Sequence, residues 1–447
     1  MSVDDWSIEV KLGCLIEHQK GFAFKSSEYE PSGHPVIRVS NFTDRSIDTS
    51  DCKFISPSKV KDFEAFTLNQ GDVIIATVGS WPSNPASVVG KTICVPRDLD
   101  GALLNQNAVR LSSNRRINQK FLFHLLRTQD FQDYIVGTAQ GSANQASITL
   151  KAIFDFTLNL PPLDEQKAIA HILGTLDDKI ELNQQMNQTL EAIAHALFKS
   201  WFIDFDPVRA KLDGRQPAGM DAETAALFPA EFEDGGAIGK IPKGWSVLTL
   251  GEMGKVITGK TPSTKVTEYF GGDVPFITPS DMDGRKGIYE TNRYLTKKGI
   301  NAVKSALVPE GSIAVSCIGS DMGKVVYVVR DSVTNQQINS VVVSKEYSNE
   351  YLYYDLSSRK FELQNLAGGG SAVPILNKAH FSMIKILAPD SCLLKEFDKT
   401  VHSLTEQIFH NDRQTKNLAS IRDALLPKLL SGEIRVQDAE TVVERVV

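Results

Sequence analysis

The chain contains one sequence pattern twice. Four segments of the first half recur in the second: Leu12-Gly13 as Leu250-Gly251, Pro35–Ser40 as Pro275–Ser280, Gly71–Gly79 as Gly311–Gly319, and Asn105–Asn107 as Asn335–Gln337. The offset between the copies drifts from about 240 to about 228 residues. Two copies in one chain predict two similar domains related by a pseudo-twofold axis. Such a molecule can present two similar faces to one elongated partner, or bind two identical partners.

Composition narrows the class of protein. A length of 447 residues allows two to three domains. The sequence has no run of 18 apolar residues and no signal peptide at its N-terminus, so no membrane segment is expected. The five cysteines are scattered and never spaced C-x-x-C, which argues against a disulfide framework or a structural zinc site. These features together predict a cytoplasmic protein.

Charge is distributed unevenly along the chain. The formal net charge is −6, and residues 161–239 carry 6 basic against 14 acidic side chains. Residues 240–390 carry 18 basic against 14 acidic side chains, so the second half is mildly basic. A strong, autonomous nucleic-acid binder is usually basic overall. If the chain binds DNA, we therefore expect a partner to supply much of the contact with phosphate.

Both halves have the pattern of a mixed α/β domain. Short β-branched runs bounded by Gly, Pro, Asn and Ser predict strands at Asp72–Val78, Val88–Val95, Ser312–Ile318 and Lys324–Val329. Helical spacing predicts helices at Phe121–Phe131 and Tyr351–Leu363. We therefore expect an α+β protein with two pseudo-repeated domains, at residues 1–160 and 242–390.

A long helix is predicted after each domain, at residues 161–203 and 391–436. The first has a ladder of Ile169, Leu173, Leu176, Ile180, Asn183, Asn187, Leu190, Ala194, Leu197 and Trp201. The second has a ladder of Phe397, Val401, Leu404, Ile408, Asn411, Thr415, Leu418, Arg422, Leu425 and Leu429. Alternating steps of four and three over more than four heptads favour a coiled coil. The alternative is that each helix packs only on its own domain.

Both ladders carry polar residues at their middle. Antiparallel pairing would place Asn187 opposite Asn411 and Trp201 opposite Phe397, with Asn183 facing Thr415 and Ile169 facing Leu429. A buried Asn can fix the register of such a pair at a cost in stability. We expect the pairing to rest on Leu173, Ile180, Asn187, Leu197, Trp201, Phe397, Val401, Asn411, Leu418 and Leu425. Replacing Asn187 and Asn411 by Leu is then expected to raise thermal stability and loosen the register.

Two segments lie outside these elements. Residues 204–241 are rich in Pro, Gly, Ala and acidic side chains, and are interpreted as a long surface linker with one short helix at Ala222–Leu227. Residues 437–447 are interpreted as a frayed tail.

One stretch resembles a phosphate-binding loop. Residues Gly254–Thr261 match the pattern G-x-x-x-x-G-K-[ST]. A phosphate-binding loop needs a helix that begins at the Gly-Lys-Thr, but Pro262 follows at once and favours a loop. The equivalent stretch of the first half, Gly21–Phe24, lacks the Lys and Thr. A nucleotide-hydrolysing enzyme therefore remains only an alternative.

Other catalytic patterns are missing from the sequence. The adjacent prolines Pro161 and Pro162 lack the flanking residues of an amino-methyltransferase loop, and no G-x-G-x-x-G cofactor loop occurs. The histidines show no metal-binding spacing, and no Ser/His/Asp set can be assembled. We predict that the chain has no catalytic residues, no metal site and no cofactor of its own.

Amide- and hydroxyl-rich loops occur at equivalent places in both halves. Asn and Gln can bind adenine in the major groove, and Lys can bind guanine, whereas Ser-rich loops can contact phosphate. The alternative for each loop is turn chemistry. The candidate DNA-binding residues are Ser40, Asn41, Ser80, Asn84, Lys91, Asn105, Gln106, Asn144, Gln145, Thr278, Ser280, Ser320, Lys324, Asn335, Gln336 and Ser371.

The architecture resembles the DNA specificity subunits of type I restriction–modification systems over nearly the whole chain. The resemblance is carried by Leu160–Gln166, Ala196–Val208, Ile241–Trp245, Gly259–Ser263 and Leu425–Ile434. The sequence departs from the family before the second long helix, where Ala388–Ser391 replaces the Pro-Pro-Leu-Asp-Glu-Gln motif.

The resemblance implies a non-catalytic subunit that binds double-stranded DNA. Each domain would recognise one half of a bipartite, asymmetric site, and the antiparallel helices would set the spacer and bind two adenine methyltransferase (modification) subunits. Restriction/translocase subunits would join them. S-adenosylmethionine, ATP and Mg would then belong to the partner subunits, which methylate a flipped adenine. A coiled-coil scaffold or adaptor that recognises no DNA sequence is the other alternative.

Helix length gives an independent estimate of the spacer. From Ile169 to Trp201 a helix rises about 48 Å at roughly 1.5 Å per residue. At about 3.4 Å per base pair this corresponds to at most about 14 base pairs. Half-sites about one helical turn apart would suit this length.

Overall fold

The computed structural model describes residues 8–43, 46–81, 89–142, 145–319, 321–367 and 375–447. The chain divides into two compact units, Met1–Leu182 with Gln414–Val447, and Asn183–Arg413. We call them unit 1 and unit 2. None of the described helices is long and apolar enough to cross a membrane.

The first domain, in unit 1, is built from twelve short strands among its described residues. They are β1 (Ile8–Lys11), β2 (Ile16–Lys20), β3 (His34–Ile37), β4 (Lys53–Ile55), β5 (Val73–Ala76), β6 (Val78–Gly79), β7 (Thr92–Cys94), β8 (Leu103–Leu104), β9 (Ala108–Ser113), β10 (Gln140–Ser142), β11 (Gln145–Ser147) and β12 (Thr157–Leu160). The main sheet has the antiparallel order β2-β9-β5-β7. A second sheet, β4-β3-β8, contains the parallel pair β3·β8. All four residues of β5 are buried, as expected for a central strand that is apolar on both faces.

Three short helices follow the main sheet, and a long helix follows the domain. They are α1 (Gln119–Leu125), α2 (Gln129–Gly137), α3 (Leu150–Asp155) and α4 (Leu163–Phe198). Asn118 caps α1 by accepting a hydrogen bond from the backbone N–H of Phe121. The long helix continues into one π-helical segment, Lys199–Ile203.

The segment between the long helix and the second domain is partly folded. It contains α5 (Asp206–Leu212), α6 (Ala222–Ala226), and the paired strands β13 (Phe232–Asp234) and β14 (Lys240–Pro242). The short helix expected near Ala222 is therefore present. The interpretation as a purely surface linker is wrong, because Val208 and Phe228 are buried in the core of unit 2.

The second domain repeats the topology of the first. Its elements are β15 (Ser246–Thr249), α7 (Leu250–Met253), β16 (Gly254–Thr258), β17 (Phe270–Ile277), β18 (Gly287–Ile288), β19 (Tyr294–Leu295), α8 (Lys297–Ala302), β20 (Leu307–Val308), β21 (Ile313–Ser316), β22 (Val325–Val328), β23 (Ser332–Thr334), β24 (Ile338–Val343), α9 (Asn349–Ser358), α10 (Lys360–Ala367), α11 (Lys378–Ser382) and β25 (Lys385–Ala388). The order β16-β24-β21-β22 matches β2-β9-β5-β7, and β17·β23 is the parallel pair equivalent to β3·β8. The predicted duplication is therefore confirmed in three dimensions.

The copies differ at the edges of their sheets. The second domain adds β18 beside β22, whereas the first domain has a small sheet of order β10-β11-β6. The helix pattern is shared: Ser348 caps α9 by accepting from the N–H of Tyr351, as Asn118 caps α1. The common scaffold is therefore the main sheet with its two following helices.

The chain ends in a second long helix, α12 (Ser391–Ser431), and a shorter one, α13 (Val436–Glu444). The expected frayed tail is wrong, because Ala439 and Val443 of α13 are buried in the core of unit 1. The sequence V-Q-D-A-E-T-V-V-E places these two residues four positions apart, on one face of the helix. Tertiary burial therefore orders the end of the chain.

Candidate nucleic-acid interface

In each domain, two of the polar loops predicted to bind DNA begin where a pair of parallel strands ends. In the first domain the parallel strands β3 and β8 end side by side, and the N–H of Asn105 donates to the carbonyl of Ile37 at 2.9 Å. In the second domain the N–H of Asn335 donates to the carbonyl of Ile277 at 2.9 Å. Within each domain, the loop after the first parallel strand therefore lies beside the turn after the second.

Three of the candidate amides are used inside the fold. Asn105 and Asn335 are buried, and their Oδ1 atoms accept from the N–H groups of Asn107 at 3.4 Å and Gln337 at 3.0 Å. Asn41 is also buried, accepts from the N–H of Arg38 at 3.0 Å, and donates to the carbonyl of Asp48 at 3.0 Å. The turn-chemistry alternative accounts for all three, so we no longer expect these side chains to reach a base.

The neighbouring residues are the ones that face solvent. Gln106 and Gln336, which directly follow the buried Asn105 and Asn335, are exposed in both domains. Ser40, Gln145 and Ser280 are also exposed. Each turn therefore has one amide that holds the backbone and one amide that is available to a ligand.

The remaining candidates within the described residues are half-buried or buried. Thr278 is half-buried, and its hydroxyl contacts the carboxylate of Asp281 at 2.6 Å and the hydroxyl of Ser280 at 2.8 Å. The half-buried Lys324 pairs with Asp321 at 2.8 Å, which neutralises its charge. Lys91 is half-buried and Ser80 is buried. The candidates Asn84, Asn144, Ser320 and Ser371 lie outside the described residues.

In the first domain, backbone pairing brings several of these loops together. Strand β6, just before Ser80, pairs with β11, which contains Gln145. The indole N–H of Trp81 donates to the carbonyl of Ser142 at 2.7 Å. The carbonyl of Ser80 accepts from the N–H of Val89 at 3.0 Å, and Lys91 follows Val89 two residues later. Ser80, Lys91 and Gln145 therefore belong to one loop cluster.

The stretch that resembles a phosphate-binding loop has a different structure. Residues Gly254–Thr258 form strand β16, and Gly259–Val266 contains no helix. A phosphate-binding loop requires a helix N-terminus directed at the phosphates. The structure therefore gives no support to the nucleotide-hydrolysing alternative.

The long helices pair in the predicted antiparallel sense within unit 2. Asn411 Nδ2 donates to Asn187 Oδ1 at 2.9 Å, and the rings of Trp201 and Phe397 have centroids 5.9 Å apart. Moving 14 residues forward on α4 and its π-helical extension thus moves the contact 14 residues back on α12. Val401 is fully buried in the same core and Leu197 is partly buried against it.

In unit 1 the ladder residues also form one core. Leu173, Ile180, Leu418 and Leu425 are buried together with Ile169 and Leu429. Arg422 occupies a ladder position and is buried, and its guanidinium donates to the carboxylate of Asp177. Arg422 is the single charged residue of the second ladder, and this was the sequence signal for the buried ion pair.

A buried lysine joins the second domain to α12, and sequence reasoning missed it. The Nζ of Lys286 donates to Glu350 Oε2 at 2.7 Å, and to the hydroxyls of Tyr354 and Thr405, both at 2.8 Å. Its side chain is completely buried, and its charge lies 4.6 Å from the ring centroid of Tyr353. All three hydrogens of the ammonium are thus satisfied.

Burial shifts the pKa of several titratable groups on or beside the long helices, among them His124 and Asp412. Burial lowers the pKa of His124 to about 4, although Asp177 lies 3.9 Å away and opposes the shift. Burial raises the pKa of Asp412 to about 6, and Arg285 and Asn187 oppose that shift. His124 is therefore neutral near pH 7, whereas Asp412 titrates slightly below that pH.

Sequence and structure comparisons identify similar proteins. Residues 3–192 and 242–407 match the family model described as type I restriction modification DNA specificity domain. The specificity subunit of the type I restriction enzyme HindI from Haemophilus influenzae is 37% identical over 422 residues, covering 84% of this chain and 90% of the relative. The MjaIX specificity subunit from Methanocaldococcus jannaschii is 28% identical over 343 residues, covering 75% of this chain and 73% of the relative.

A solved structure has the same fold. The crystal structure of the S subunit of a type I restriction-modification system from M. genitalium aligns with a TM-score of 0.54 at 16% identity. The alignment covers 94% of this chain and 95% of that chain. The likeness therefore extends over both repeats and both long helices.

Proposed function

This chain belongs to the family of type I restriction–modification DNA specificity subunits, and we propose that each of its domains reads one half of a bipartite, asymmetric DNA site. The observation that carries the proposal is a repeated scaffold with different exposed side chains. In the equivalent segments Gly21-Phe22-Ala23 and Gly259-Lys260-Thr261, for example, the exposed side chain is Ala23 in the first domain and Lys260 in the second. A shared scaffold with different side chains suits two half-sites of different sequence.

We assign two roles to the paired helices α4 and α12, which are to set the distance between the two half-sites and to bind partner subunits. On α4 and its π-helical extension, Ile193 and Ile203 are 51% and 46% exposed and lie away from the buried ladder. Because these two side chains lie outside the buried ladder, they are available for contact with another protein. We assign this surface to adenine methyltransferase subunits, two of which would fit a chain with two similar halves.

The chemistry is assigned to the partners. Methylation of a base within a duplex requires that the base be flipped out and brought to a bound methyl donor. In this proposal the modification subunits hold S-adenosylmethionine, and restriction/translocase subunits use ATP and Mg. This chain would supply sequence recognition without forming or breaking bonds.

The experiment is methylation mapping. The chain is co-expressed with a type I adenine methyltransferase (modification) subunit, in cells without other methylation, and methyladenine is located by single-molecule sequencing. The expected result is one bipartite motif with two short half-sites, a fixed gap and one methyladenine on each strand. Cells with the methyltransferase alone are the control and should show no such motif. A stable complex that yields no motif would instead favour the scaffold alternative.

A further inference from the structure

The segment Gly259-Lys260-Thr261 packs directly against the turn Thr334-Asn335-Gln336. The N–H of Lys260 donates to the carbonyl of Thr334 at 2.8 Å, and the N–H of Gly259 donates to the carbonyl of Ile338 at 3.0 Å. A Cβ atom at Gly259 would lie 2.0 Å from the carbonyl oxygen of Asn335, so only glycine fits there. The backbone position of Lys260 is thereby fixed.

The side chains of Lys260 and Gln336 offer hydrogen-bond donors to solvent. Lys260 is exposed and forms no ion pair with any part of the chain that the structure describes. The hydroxyl of the half-buried Thr261 donates to Gln336 Oε1 at 2.6 Å. Because that bond occupies the carbonyl of the exposed Gln336 amide, its Nε2 hydrogens are the groups left for a ligand.

The first domain has the same backbone packing with different side chains. A Cβ atom at Gly21 would lie 2.1 Å from the carbonyl oxygen of Asn105, and the N–H of Phe22 donates to the carbonyl of Leu104 at 2.8 Å. Phe22 and Ala23 thus stand where Lys260 and Thr261 stand, whereas Gln106 and Gln336 are the same residue. The cation is therefore a feature of the second domain, which is also the more basic half.

We propose that Lys260, Thr261 and Gln336 form a phosphate-binding element that holds the DNA backbone next to the half-site read by the second domain. An ammonium and an amide N–H group match the acceptor oxygens of a phosphate, which are present at every base step. A glutamine retained in both domains, although the two read different sequences, fits a contact that is independent of sequence. This inference rests on the proposed function.

The test measures how salt affects DNA affinity. The full chain, purified in complex with its modification subunits, is titrated with a duplex carrying the mapped site and with a scrambled duplex, from low to high salt. Removing one phosphate contact lowers the salt slope by about 0.9 and weakens binding roughly eight-fold at 0.1 M monovalent salt. We expect both changes for Lys260→Ala on both duplexes, with the methylated motif unchanged.

Three further variants isolate the cause. Lys260→Arg keeps the charge and should keep the wild-type slope. Lys240→Ala removes an exposed lysine of strand β14 that is not part of the phosphate-binding element. This variant should also keep the wild-type salt slope. Thr261→Val releases the Gln336 amide without removing charge. It should therefore weaken binding to both duplexes less than Lys260→Ala does, at an unchanged slope.

Several outcomes would overturn the inference. An unchanged slope for Lys260→Ala would show that Lys260 contacts no phosphate. A loss confined to the specific duplex, or a changed second half-site, would assign Lys260 to base recognition. ATP binding by the complex without restriction subunits, abolished in Lys260→Ala, would assign the element to a nucleotide. If the wild-type complex does not distinguish the two duplexes, the proposed function itself fails.

Discussion

The amide nitrogen Nδ2 of Asn411 donates a 2.9 Å hydrogen bond to Oδ1 of Asn187 across the antiparallel helices. Asn187 Nδ2 in turn donates to Asp412 Oδ1 at 2.8 Å and contacts the carbonyl oxygen of Ile408 at 3.3 Å. The polar layer that the sequence places here as an Asn–Asn pair is thus a larger network that includes a buried carboxylate. This difference changes the expected effect of mutating it.

The double variant Asn187→Leu with Asn411→Leu is now expected to lose stability. Sequence reasoning predicts a gain, because two apolar side chains would replace two buried amides. The structure reverses the sign, since the carboxylate of Asp412 would lose its donor, at a cost of roughly 1–3 kcal/mol. Chemical denaturation of the full chain measures the change. Adding Asp412→Asn should recover part of the loss, and a gain in the double variant would restore the simpler Asn–Asn account.

Asp412 should make stability depend on pH. Its pKa is raised to about 6 in the folded chain, so folding favours the protonated form. The contribution of Asp412 is therefore fully present below pH 4 and is lost as pH rises through about 6. Asp412→Asn should stabilise the chain by about 1–3 kcal/mol at pH 8 and have little effect at pH 4.

Unfolding midpoints in denaturant at the two pH values check this prediction. Asp355 and Asp398 also have pKa values raised to about 6, so the wild-type profile alone does not isolate Asp412. The relevant quantity is the difference in the free energy of unfolding between Asp412→Asn and the wild type at each pH. A difference that is the same at pH 4 and pH 8 would contradict the role assigned to Asp412.

Removing the charge of Lys286 alone should be strongly destabilising. Lys286→Met leaves Glu350, which is buried, without its cation, and breaking a buried pair in this way costs about 3–5 kcal/mol. The double variant Lys286→Met with Glu350→Gln removes both charges and should recover most of that loss. A double-mutant cycle measured by denaturation gives the coupling. Additive single effects would mean that the two charges do not stabilise each other.

Truncation after Gly432 should destabilise unit 1. Helix α13 buries Ala439 and Val443 in the core formed by the first domain and the long helices. Burying a Val side chain contributes about 1.5–3 kcal/mol, which the shortened chain would lose. Limited proteolysis and thermal unfolding of the truncated chain are the measurements. Truncation after Val446 is the control, because it removes only the exposed Val447, and it should leave both unchanged.

Shortening the helices should shorten the DNA spacer. Deleting one heptad from facing positions of α4 and α12 removes about 10 Å of helix, equivalent to about three base pairs. The methylated motif should then keep both half-sites and have a smaller gap. Deleting the heptad from one helix only is the control, because it destroys the pairing and should abolish the complex. An unchanged gap in the doubly shortened chain would mean that helix length does not set the spacer.

Local patterns were sufficient to predict the long elements. The steps of four and three in the two ladders identify their buried faces, because an α-helix brings such positions to one side. Leu173 and Val401 are accordingly buried, and Asn187 meets Asn411. The repeat itself predicted the duplicated domains, since two similar sequences fold to similar sheets.

Side-chain environments could not be predicted in the same way. The run Asn105-Gln106-Asn107 does not indicate which amide holds the turn, because that depends on how strand β8 leaves its sheet. Lys286 is buried only because Glu350 and Thr405, 64 and 119 residues away in sequence, satisfy its hydrogens. The burial of α13 likewise depends on a surface made by distant segments.

The sequence by itself determined the duplication, the two long helices, their antiparallel register and the family. These follow from repetition and periodicity, which are local properties of the chain. The tertiary structure decided which polar residues are buried and which face solvent. A polar group is buried only where distant segments supply its hydrogen-bond partners, and their positions are fixed only when the whole unit has folded.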